Sequence, residues 1–265
     1  MLETAKNAAY AAGEILKKNF GRVPQEAVRK KKQNDFLSFV DEESEKKIVE
    51  IIQAEFPSHA VLAEESGGSG PENEYMWIVD PLDGTTNYIT GIPLFAVSIA
   101  MQYQNELVLG VIYDPIRDEL FSAEKGRGAF LNGSSIQVSG KVSLNESILA
   151  TGFPFKTKQF LPQYLQAFHD IFERSIGIRR MGSAAVDLAY LAAGRFDGFW
   201  EIGLSPWDTA AGTVLIREAG GQISDFWNGS NFVWNNYILA SNGRIHEETG
   251  EIIRKHFPVY QKVYE

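Results

Sequence analysis

The sequence predicts a layered α+β fold, in which helices and sheets are stacked in alternating layers. Apolar residues recur at helical spacing near the N-terminus and in several later stretches, whereas residues 95–138 alternate like strands that short turns join, which is typical of antiparallel pairs. A regular βαβ repeat is not visible, so a purely parallel sheet is not expected. With 265 residues and no linker-like boundary, we predict one compact domain over 1–265, with sub-halves near 1–145 and 146–265.

The N-terminal part of the chain predicts two helices and two strands. Residues 2–20 form an amphipathic helix, and a second helix over 41–56 ends at a proline. The stretch AVLAEESGG (60–68) predicts a short strand that runs into a glycine loop. The stretch YMWIVD (75–80) predicts a buried strand that ends at Asp80.

The rest of the chain mixes strands with further helices. Asn132-Gly133 predicts a tight hairpin within the antiparallel region. The predicted elements that follow are a strand starting at 148, a helix over 182–194, a strand within 195–204, and a helix within 207–221 that a Gly-Gly pair ends. Strands and helices therefore alternate irregularly, as layered sheets and helices do.

Composition excludes several classes of function. The net charge of −9 argues against a nucleic-acid partner and a membrane-binding patch; the basic run at 29–32 is predicted to be a solvated loop or helix face. The chain has no cysteine, which excludes disulfides, thiolate nucleophiles and zinc–thiolate sites. No apolar run approaches the roughly 20 residues that span a membrane, and no secretory signal is visible. We expect a soluble cytoplasmic protein.

Four acidic residues stand where a predicted strand ends or a predicted helix begins: Glu64, Asp80, Asp83 and Asp208. Buried carboxylates repel each other, and a hard divalent cation would compensate them. Oxygen ligands without a nearby histidine or cysteine favour Mg²⁺ over zinc. Three of the four also have plainer interpretations, with Asp208 as a helix N-cap, Asp83 in an Asp-Gly turn and Glu64 in a solvated Glu-Glu pair. Asp80 has none, because neither a turn nor a cap needs a second carboxylate against an apolar strand.

A glycine followed by hydroxyl residues, Gly84-Thr85-Thr86, comes directly after Asp83 at a predicted helix start. Free backbone N–H groups at such a position suit a phosphate. Metal-binding carboxylates beside an anion-binding loop predict a phosphate held between the protein and Mg²⁺. In two-metal sites of this kind the ions lie about 3.5–4 Å apart, one activating water and one stabilising the leaving oxygen.

Two long motifs, WIVDPLDGTTNY (77–88) and PWDTAAGTVLIREAGG (206–221), closely resemble the two signatures of the inositol monophosphatase family of Mg²⁺-dependent, lithium-sensitive phosphatases. LAEES (62–66) is similar to the family's glutamate segment. ATGFPFK, GSAAVDLAYLAAGRFDGFWEIGL and GVIYDPIRDELFSAEKGRGAFLNG look like its bacterial inositol-1-phosphatase branch. The resemblance covers nearly the whole chain. It implies an α-β-α-β-α sandwich of the inositol monophosphatase/fructose-1,6-bisphosphatase type, two or three Mg²⁺ ions and a homodimer.

Carried over residue by residue, the resemblance implies a complete site. The metal ligands would be Glu64, Asp80, the carbonyl of Leu82, Asp83 and Asp208. Asp41, Thr85 and Glu64 would activate the attacking water, although Asp41 taken alone favours a helix N-cap. The substrate would be bound by Gly84, Thr85, Gly182, Ser183, Ala184 and Glu201. Ser183 stands where some family members have threonine and keeps the hydroxyl; for Glu201 the alternative is a solvent-facing strand position.

The resemblance implies a phosphomonoesterase that hydrolyses inositol 1-phosphate by metal-activated attack of water, without a phosphoenzyme. Fructose 1,6-bisphosphate, a 3′-phosphoadenosine nucleotide and histidinol phosphate stay open as substrates of the same superfamily. DPLDGT also looks like the DxDGT motif of haloacid-dehalogenase-type phosphatases, but its aspartates are three residues apart instead of two, and no GDxxxD motif follows. The non-enzyme alternative is a regulatory protein that keeps the fold as a scaffold.

Overall fold

Two β-sheets, a short hairpin and eight helices form the described part of the protein. The structure is a computed structural model that describes residues 1–24, 29–32, 35–68, 73–155 and 157–263; within 29–32 and 35–37 it describes the course of the backbone alone. The helices are α1 (Leu2–Asn19), α2 (Phe39–Glu55), α3 (Thr85–Thr90), α4 (Leu161–Phe172), α5 (Ala184–Ala192), α6 (Pro206–Glu218), α7 (Phe232–Asn235) and α8 (His246–His256). The strands are β1 (Arg29–Lys32), β2 (Asp35–Leu37), β3 (Ala60–Ala63), β4 (Gly67–Gly68), β5 (Tyr75–Asp83), β6 (Ala96–Tyr103), β7 (Glu106–Asp114), β8 (Glu119–Glu124), β9 (Ala129–Leu131), β10 (Ser134–Ile136), β11 (Ile148–Thr151), β12 (Gly177–Arg179), β13 (Gly198–Ile202), β14 (Gln222–Ser224) and β15 (Tyr237–Ser241).

An eight-stranded sheet and a five-stranded sheet make up the framework of the fold. The larger sheet has the strand order β10-β9-β8-β7-β6-β5-β3-β4 and is antiparallel except for the pair β3 and β5. The smaller sheet has the order β12-β11-β13-β15-β14; β11 runs parallel to β12 and β13, and the other pairs are antiparallel. β1 and β2 form a separate hairpin.

The sheets and helices are stacked in five layers. Side chains alternate across a strand, so β5 places Trp77 and Val79 in one core and Met76 and Ile78 in another. The first core packs beneath α1 and α2, and the second holds α5 and α6 between the two sheets. A third core lies between the smaller sheet and the outer helices α4 and α8. This order of helix, sheet, helix, sheet and helix confirms the predicted layered α+β fold.

Glycine allows α6 to lie directly on the larger sheet. A Cβ on Gly110 of β7 would come within 2.4 Å of the Ala211 carbonyl oxygen, so any other residue would push the helix away. At the N-terminal end of the helix, Ser98 Oγ of β6 donates a hydrogen bond to Trp207 O at 3.0 Å. The first turn of α6 is therefore fixed against the neighbour of β5, close to the acidic end of that strand.

Most predicted elements are present, and the predictions that are wrong concern the limits of two elements and the type of a third. α2 begins at Phe39, with Ser38 as its N-cap residue, and not at 41. β5 continues past Asp80 to Asp83 because it keeps pairing with β6. Residues 29–32, predicted as a loop or helix face, form the backbone of β1, and their side chains lie outside the described part.

The predicted hairpin at Asn132-Gly133 joins β9 to β10, with φ values of +48° and +80° at the two turn residues. These left-handed conformations are the ones that a type I′ turn needs. None of the described helices is both long and apolar enough to cross a membrane.

A buried histidine couples the stability of the fold to pH. His246, the first residue of α8, has Nε2 at 2.9 Å from Ser224 Oγ and Nδ1 at 3.0 Å from Ser241 Oγ. Ser224 Oγ gives its own hydrogen to Asp225 O at 2.6 Å, so it accepts from Nε2–H, and Nδ1 accepts from Ser241. The ring is therefore held neutral, and burial lowers the pKa of His246 from 6.5 to about 4.

We predict a loss of stability as the pH falls from about 6.5 to about 4. In this window the unfolded chain takes up a proton at His246 and the folded chain does not, so the free energy of unfolding decreases by up to ~3 kcal/mol. The measurement is urea unfolding between pH 7.5 and 4.5, with His246→Asn as the control that cannot titrate. The same pH dependence in both proteins would contradict the prediction.

Candidate active site

A cavity of about 390 Å³ opens where the two sheets meet the N-terminal ends of α5 and α6. Its wall contains every predicted site residue except Asp41, which lies behind Thr85: Glu64, Asp80, Leu82, Asp83, Gly84, Thr85, Gly182, Ser183, Ala184, Glu201 and Asp208. The wall also contains residues that the sequence did not indicate, among them Gly152, Phe153, Arg180 and Asp187.

A β-bulge brings Asp80 and Asp83 to the same side of β5. Asp80 pairs with Ser98 of β6 and Asp83 pairs with Ala96, so three steps along β5 face two steps along β6. In a regular strand, residues three apart point to opposite faces; the extra residue of the bulge cancels that alternation. Asp80 Oδ1 accepts a hydrogen bond from Leu82 N at 2.9 Å, which fixes the bulged turn.

Three carboxylates meet at this bulge. One oxygen from each of Asp80, Asp83 and Asp208 lies within 4.8 Å of the others. Burial raises the pKa of Asp80 well above its usual range, and the nearby carboxylates of Glu64, Asp83 and Asp208 raise it further, against one hydrogen bond from Leu82 N. Several buried carboxylates at one place suit a divalent cation. A bound cation would offset both the cost of burying the charges and the repulsion between them.

Asp83 is held by the start of α5. Burial raises the pKa of Asp83 to about 6, while hydrogen bonds from Ser183 Oγ and Ala185 N act in the opposite direction. Both donors meet Asp83 Oδ2, at 2.5 Å and 2.7 Å. The other carboxylate oxygen is thereby left for a different contact. The hydrogen of the Ser183 hydroxyl is already given to Asp83, so Ser183 can offer a substrate only a lone pair.

Asp208 and Asp41 occupy the same position in two different helices. Each is the third residue of its helix, and its carboxylate accepts a hydrogen bond from the backbone N–H of the serine that precedes the helix. Asp208 Oδ2 accepts from Ser205 N at 2.7 Å, and Asp41 Oδ2 accepts from Ser38 N at 2.9 Å. The N-cap interpretations of Asp41 and Asp208 are therefore wrong in detail, because a serine occupies the cap and the aspartate lies three residues later.

Asp41 reaches the cavity through Thr85. Thr85 Oγ1 lies 3.2 Å from Asp41 Oδ1 and 3.0 Å from Leu82 O, while Asp41 Oδ2 receives Ser38 Oγ at 2.6 Å. Asp41 is fully buried, so the helix α2 presents a fixed acceptor to the Thr85 hydroxyl. The pair that the resemblance implies is therefore brought together by the fold.

Gly84 lies between the carboxylates and α3 in a left-handed conformation, with φ of +94°. A Cβ at this residue would lie 3.2 Å from Leu94 O and 3.3 Å from Gly182 O, so the turn is both strained for other residues and tightly enclosed. Asn87 Nδ2 donates to Leu94 O at 2.8 Å and to Met181 O at 3.0 Å. Asn87 thus ties the turn after Asp83 to the segment that leads into α5.

Glu201 faces the space between the sheets. On β13 it shares a face with Phe199, which lies in the central core, whereas Trp200 and Ile202 belong to the outer core. Glu201 is only 7% exposed, so the solvent-facing interpretation is wrong. The Glu201 carboxylate packs against the backbone of Gly152, where a Cβ would come within 1.9 Å of Glu201 Oε1. Glycine at 152 is what leaves room for this acid.

Asp187 is an acid that the sequence analysis missed. It lies on α5, where every residue from 184 to 192 is buried, and its Oδ1 has no hydrogen-bond partner among the described residues. Burial raises its pKa well above the usual range, Glu201 and Asp83 raise it further, and Arg180 lowers it. A single acid within an Ala- and Leu-rich helix was the signal that could have identified it.

The layered fold with an acidic cavity between its sheets defines the inositol monophosphatase type of sandwich. The chain belongs to the inositol monophosphatase family, whose sequence model matches residues 1–257. It is 45% identical over 263 residues to Nus factor SuhB of Pseudomonas aeruginosa, covering 97% of each chain. The structure of extragenic suppressor protein suhB from Bartonella henselae is 41% identical with a TM-score of 0.90, over 96% of this chain and 98% of that one. The inositol monophosphatase from Anabaena (Nostoc) sp. PCC 7120 is 40% identical with a TM-score of 0.86, over 96% and 95%. The predicted family is thereby confirmed.

Proposed function

We propose that the protein is a Mg²⁺-dependent phosphomonoesterase that hydrolyses a small sugar-alcohol phosphate, specifically inositol 1-phosphate, without a phosphoenzyme. The observation that carries the proposal is the cluster of Asp80, Asp83 and Asp208, with oxygens within 4.8 Å of one another in the wall of an open cavity. Membership of the inositol monophosphatase family supports phosphatase activity in general. The particular substrate is inferred from the other residues of the cavity wall, above all Glu201.

The donor set of the cavity fits Mg²⁺. All the groups are oxygens, and burial, together with the carboxylates of Glu64, Asp83 and Asp208, raises the pKa of Asp80, an effect that a bound divalent cation would oppose. The ligands would be Glu64, Asp80, the carbonyl of Leu82, Asp83 and Asp208, holding two or three ions. Bound Mg²⁺ would stabilise the charge of the phosphate and lower the pKa of water from about 15.7 towards neutrality.

Thr85, Asp41 and Glu64 are proposed to orient the attacking water. Because Asp41 Oδ1 lies 3.2 Å from Thr85 Oγ1, the Thr85 hydroxyl can direct its hydrogen to Asp41 and its lone pairs towards the cavity. A water held by that lone pair would present its oxygen to phosphorus, and the Glu64 carboxylate on the same wall could accept its proton. The backbone N–H groups of Gly84 and Thr85 would bind the phosphate oxygens.

Gly182, Ser183, Ala184 and Glu201 are proposed to bind the hydroxyls of the substrate. They share the wall of the cavity, with Gly182, Ser183 and Ala184 on the segment that leads into α5, next to Asp83 and Gly84, and with Glu201 on β13. Since a carboxylate repels phosphate but accepts hydrogen bonds from hydroxyls, Glu201 suits a polyol and not a second phosphate. This preference favours an inositol monophosphate over fructose 1,6-bisphosphate or a 3′-phosphoadenosine nucleotide.

Glu201→Gln should therefore weaken polyol binding more than chemistry. We expect KM for inositol 1-phosphate to rise roughly 10- to 150-fold, the value of one charged hydrogen bond of ~1.5–3 kcal/mol. Turnover of p-nitrophenyl phosphate should change far less, because that ester has no hydroxyls to lose. Steady-state kinetics on both esters is the measurement. Equal losses on both would assign Glu201 to the metal or structural network.

A substrate panel tests the proposed function. Phosphate release with Mg²⁺ should be fastest from inositol 1-phosphate when compared with fructose 1,6-bisphosphate, 3′-phosphoadenosine 5′-phosphate and histidinol phosphate. A clear preference for one of the other three would replace the substrate but keep the reaction. No release from any of them would leave the regulatory alternative.

That regulatory alternative has its own observation in its favour, because a relative that is 45% identical is called Nus factor SuhB. A protein that kept the fold only as a scaffold would have no need of the acidic cluster. The carboxylates that the resemblance implies are all present; the cavity brings together all of them except Asp41, which lies behind Thr85. We therefore favour catalysis, and metal-dependent turnover by the purified chain distinguishes an enzyme from a protein that uses the fold only as a scaffold.

We also propose a homodimer, supported by an apolar surface beside the cavity. Leu161, Leu165 and Phe172 project from one side of α4 and are 37%, 46% and 55% exposed. Phe153, in the wall of the cavity, is 41% exposed, and Ile176 after α4 is 62% exposed. Exposed apolar groups gathered in this way mark an interaction surface. Light scattering should give a mass near twice the 29.5 kDa of one chain; a mass of one chain would exclude the dimer.

A further inference from the structure

A second acid on α2, besides Asp41, accepts hydrogen bonds from the loop that carries Glu64. Glu45 is only 4% exposed, and its two carboxylate oxygens accept hydrogen bonds from two successive backbone N–H groups. Oε2 accepts from Glu65 N at 2.8 Å, and Oε1 accepts from Ser66 N at 2.9 Å. A bidentate contact of this kind fixes two consecutive peptide units, and these are the two that follow Glu64.

The same loop is fixed from its other side. Glu64 N donates to Val79 O at 3.1 Å, and Val79 directly precedes Asp80 on β5. The backbone of Glu64 is therefore held between β5 and α2, with Asp80 on one side and Glu45 on the other. The side chain of Glu64 lies in the wall of the cavity.

Glu45 lies one helical turn after Asp41, so both acids project from the same buried face of α2. Asp41 holds the Thr85 hydroxyl, and Glu45 holds the Glu64 loop. We propose that Glu45 is a positioning residue: by holding the backbone that follows Glu64, it orients the Glu64 carboxylate for metal binding. Through Asp41 and Glu45, α2 would then orient both Thr85 and Glu64. This inference rests on the proposed function, because it gives Glu64 the role of a metal ligand.

Glu45→Gln should weaken metal binding without abolishing it. The amide keeps one acceptor oxygen but turns an NH₂ group towards a backbone N–H, so one of the two hydrogen bonds is replaced by a donor–donor contact. Residues that orient metal ligands typically contribute 10- to 100-fold to metal affinity. We expect the dissociation constant for Mn²⁺, used as a probe for Mg²⁺, to rise about 10- to 100-fold in calorimetric titrations without substrate.

Glu55→Gln is the matched control. Glu55 ends the same helix and accepts a hydrogen bond from Thr4 Oγ1 at 2.5 Å, far along the helix from the Glu64 loop. This control should leave Mn²⁺ affinity unchanged. Thermal unfolding in EDTA, run on both variants, reports any purely structural cost.

The outcomes separate this inference from the function on which it rests. If the unchanged protein binds no Mn²⁺, the proposed function fails. If it binds Mn²⁺ and Glu45→Gln binds equally well, whatever its unfolding temperature, the positioning role of Glu45 is contradicted. If Glu45→Gln does not fold, Glu45→Asp, which keeps the charge but shortens the reach, is measured in its place and should also bind Mn²⁺ more weakly. A failure of both variants to fold would assign Glu45 to global stability and overturn the proposal.

Discussion

Replacing Asp80 by asparagine should reduce phosphate release by at least about a thousandfold while leaving the metal-free protein no less stable. A thousandfold loss corresponds to about 4 kcal/mol of the activation barrier, the order expected if Asp80 is a metal ligand as proposed. The stability expectation has a separate cause. Asp80 is buried and repelled by Glu64, Asp83 and Asp208, so its charge opposes folding when no metal is bound.

The pH dependence has a definite sign. Because the folded pKa of Asp80 lies above the unfolded one, the folded metal-free chain holds the proton to higher pH, and its stability falls as the pH rises through that interval. The asparagine side chain of the Asp80→Asn variant cannot ionise, and it can still accept the hydrogen bond from Leu82 N through its amide oxygen. In the Asp80→Asn variant, the fall in stability with rising pH that the ionisation of Asp80 causes should therefore be absent.

Thermal unfolding in EDTA and in Mg²⁺ measures both effects. The unchanged protein should gain stability on adding Mg²⁺, since a ligand that binds only the folded state stabilises it. Asp80→Asn should start at an equal or higher unfolding temperature in EDTA and gain little from Mg²⁺. A clear loss of stability in EDTA would show that Asp80 has a favourable partner within the chain, against the electrostatic argument.

Asp208→Asn should be nearly as inactive, again on the order of a thousandfold, and should fold normally. Asparagine can still accept the hydrogen bond that Ser205 N makes to Asp208 Oδ2, so the start of α6 is preserved. What the substitution removes is the charge facing Asp80 and Asp83. We expect a change in the free energy of unfolding of less than about 0.5 kcal/mol in EDTA.

Asp208→Ala is the comparison that separates capping from catalysis. Alanine removes both the charge and the acceptor, so it should match asparagine in lost activity but cost about 1 kcal/mol more stability. Full activity in Asp208→Asn at saturating Mg²⁺, with loss of stability in Asp208→Ala alone, would assign Asp208 to the helix start and not to the metal.

The sequence predicted the layers of the fold because their signals are local. Helical and strand periodicities are set by residues a few positions apart, and the strand faces follow from alternation. The limit of β5 was missed because the bulge between Asp80 and Asp83 depends on its partner strand β6. The pairing of Asp83 with Ala96 is a tertiary contact, which the order of residues around Asp80 does not show.

The acidic cluster was predicted because its residues lie at the ends of recognisable elements. Gly152 was not predicted, since its role depends on register. Thr151, the last residue of β11, pairs with Trp200 of β13, which places Gly152, just past β11, beside Glu201 of β13. Asp187 was missed because an acid in a helix is ordinarily on a solvated face, although the apolar residues around it in α5 were a signal that this helix is buried on all sides. The roles of the site residues stay predictions that the substitutions above address.

The most direct test of the two-metal account is phosphate release from inositol 1-phosphate after chelation, followed by addition of Mg²⁺ or Ca²⁺. The account predicts no turnover in EDTA, recovery with Mg²⁺ and no recovery with Ca²⁺. Ca²⁺ prefers six to eight ligands at about 2.3–2.6 Å and would relax the tight octahedral geometry that Mg²⁺ imposes on the carboxylates. Full activity in EDTA, or equal activity with Ca²⁺, would contradict it.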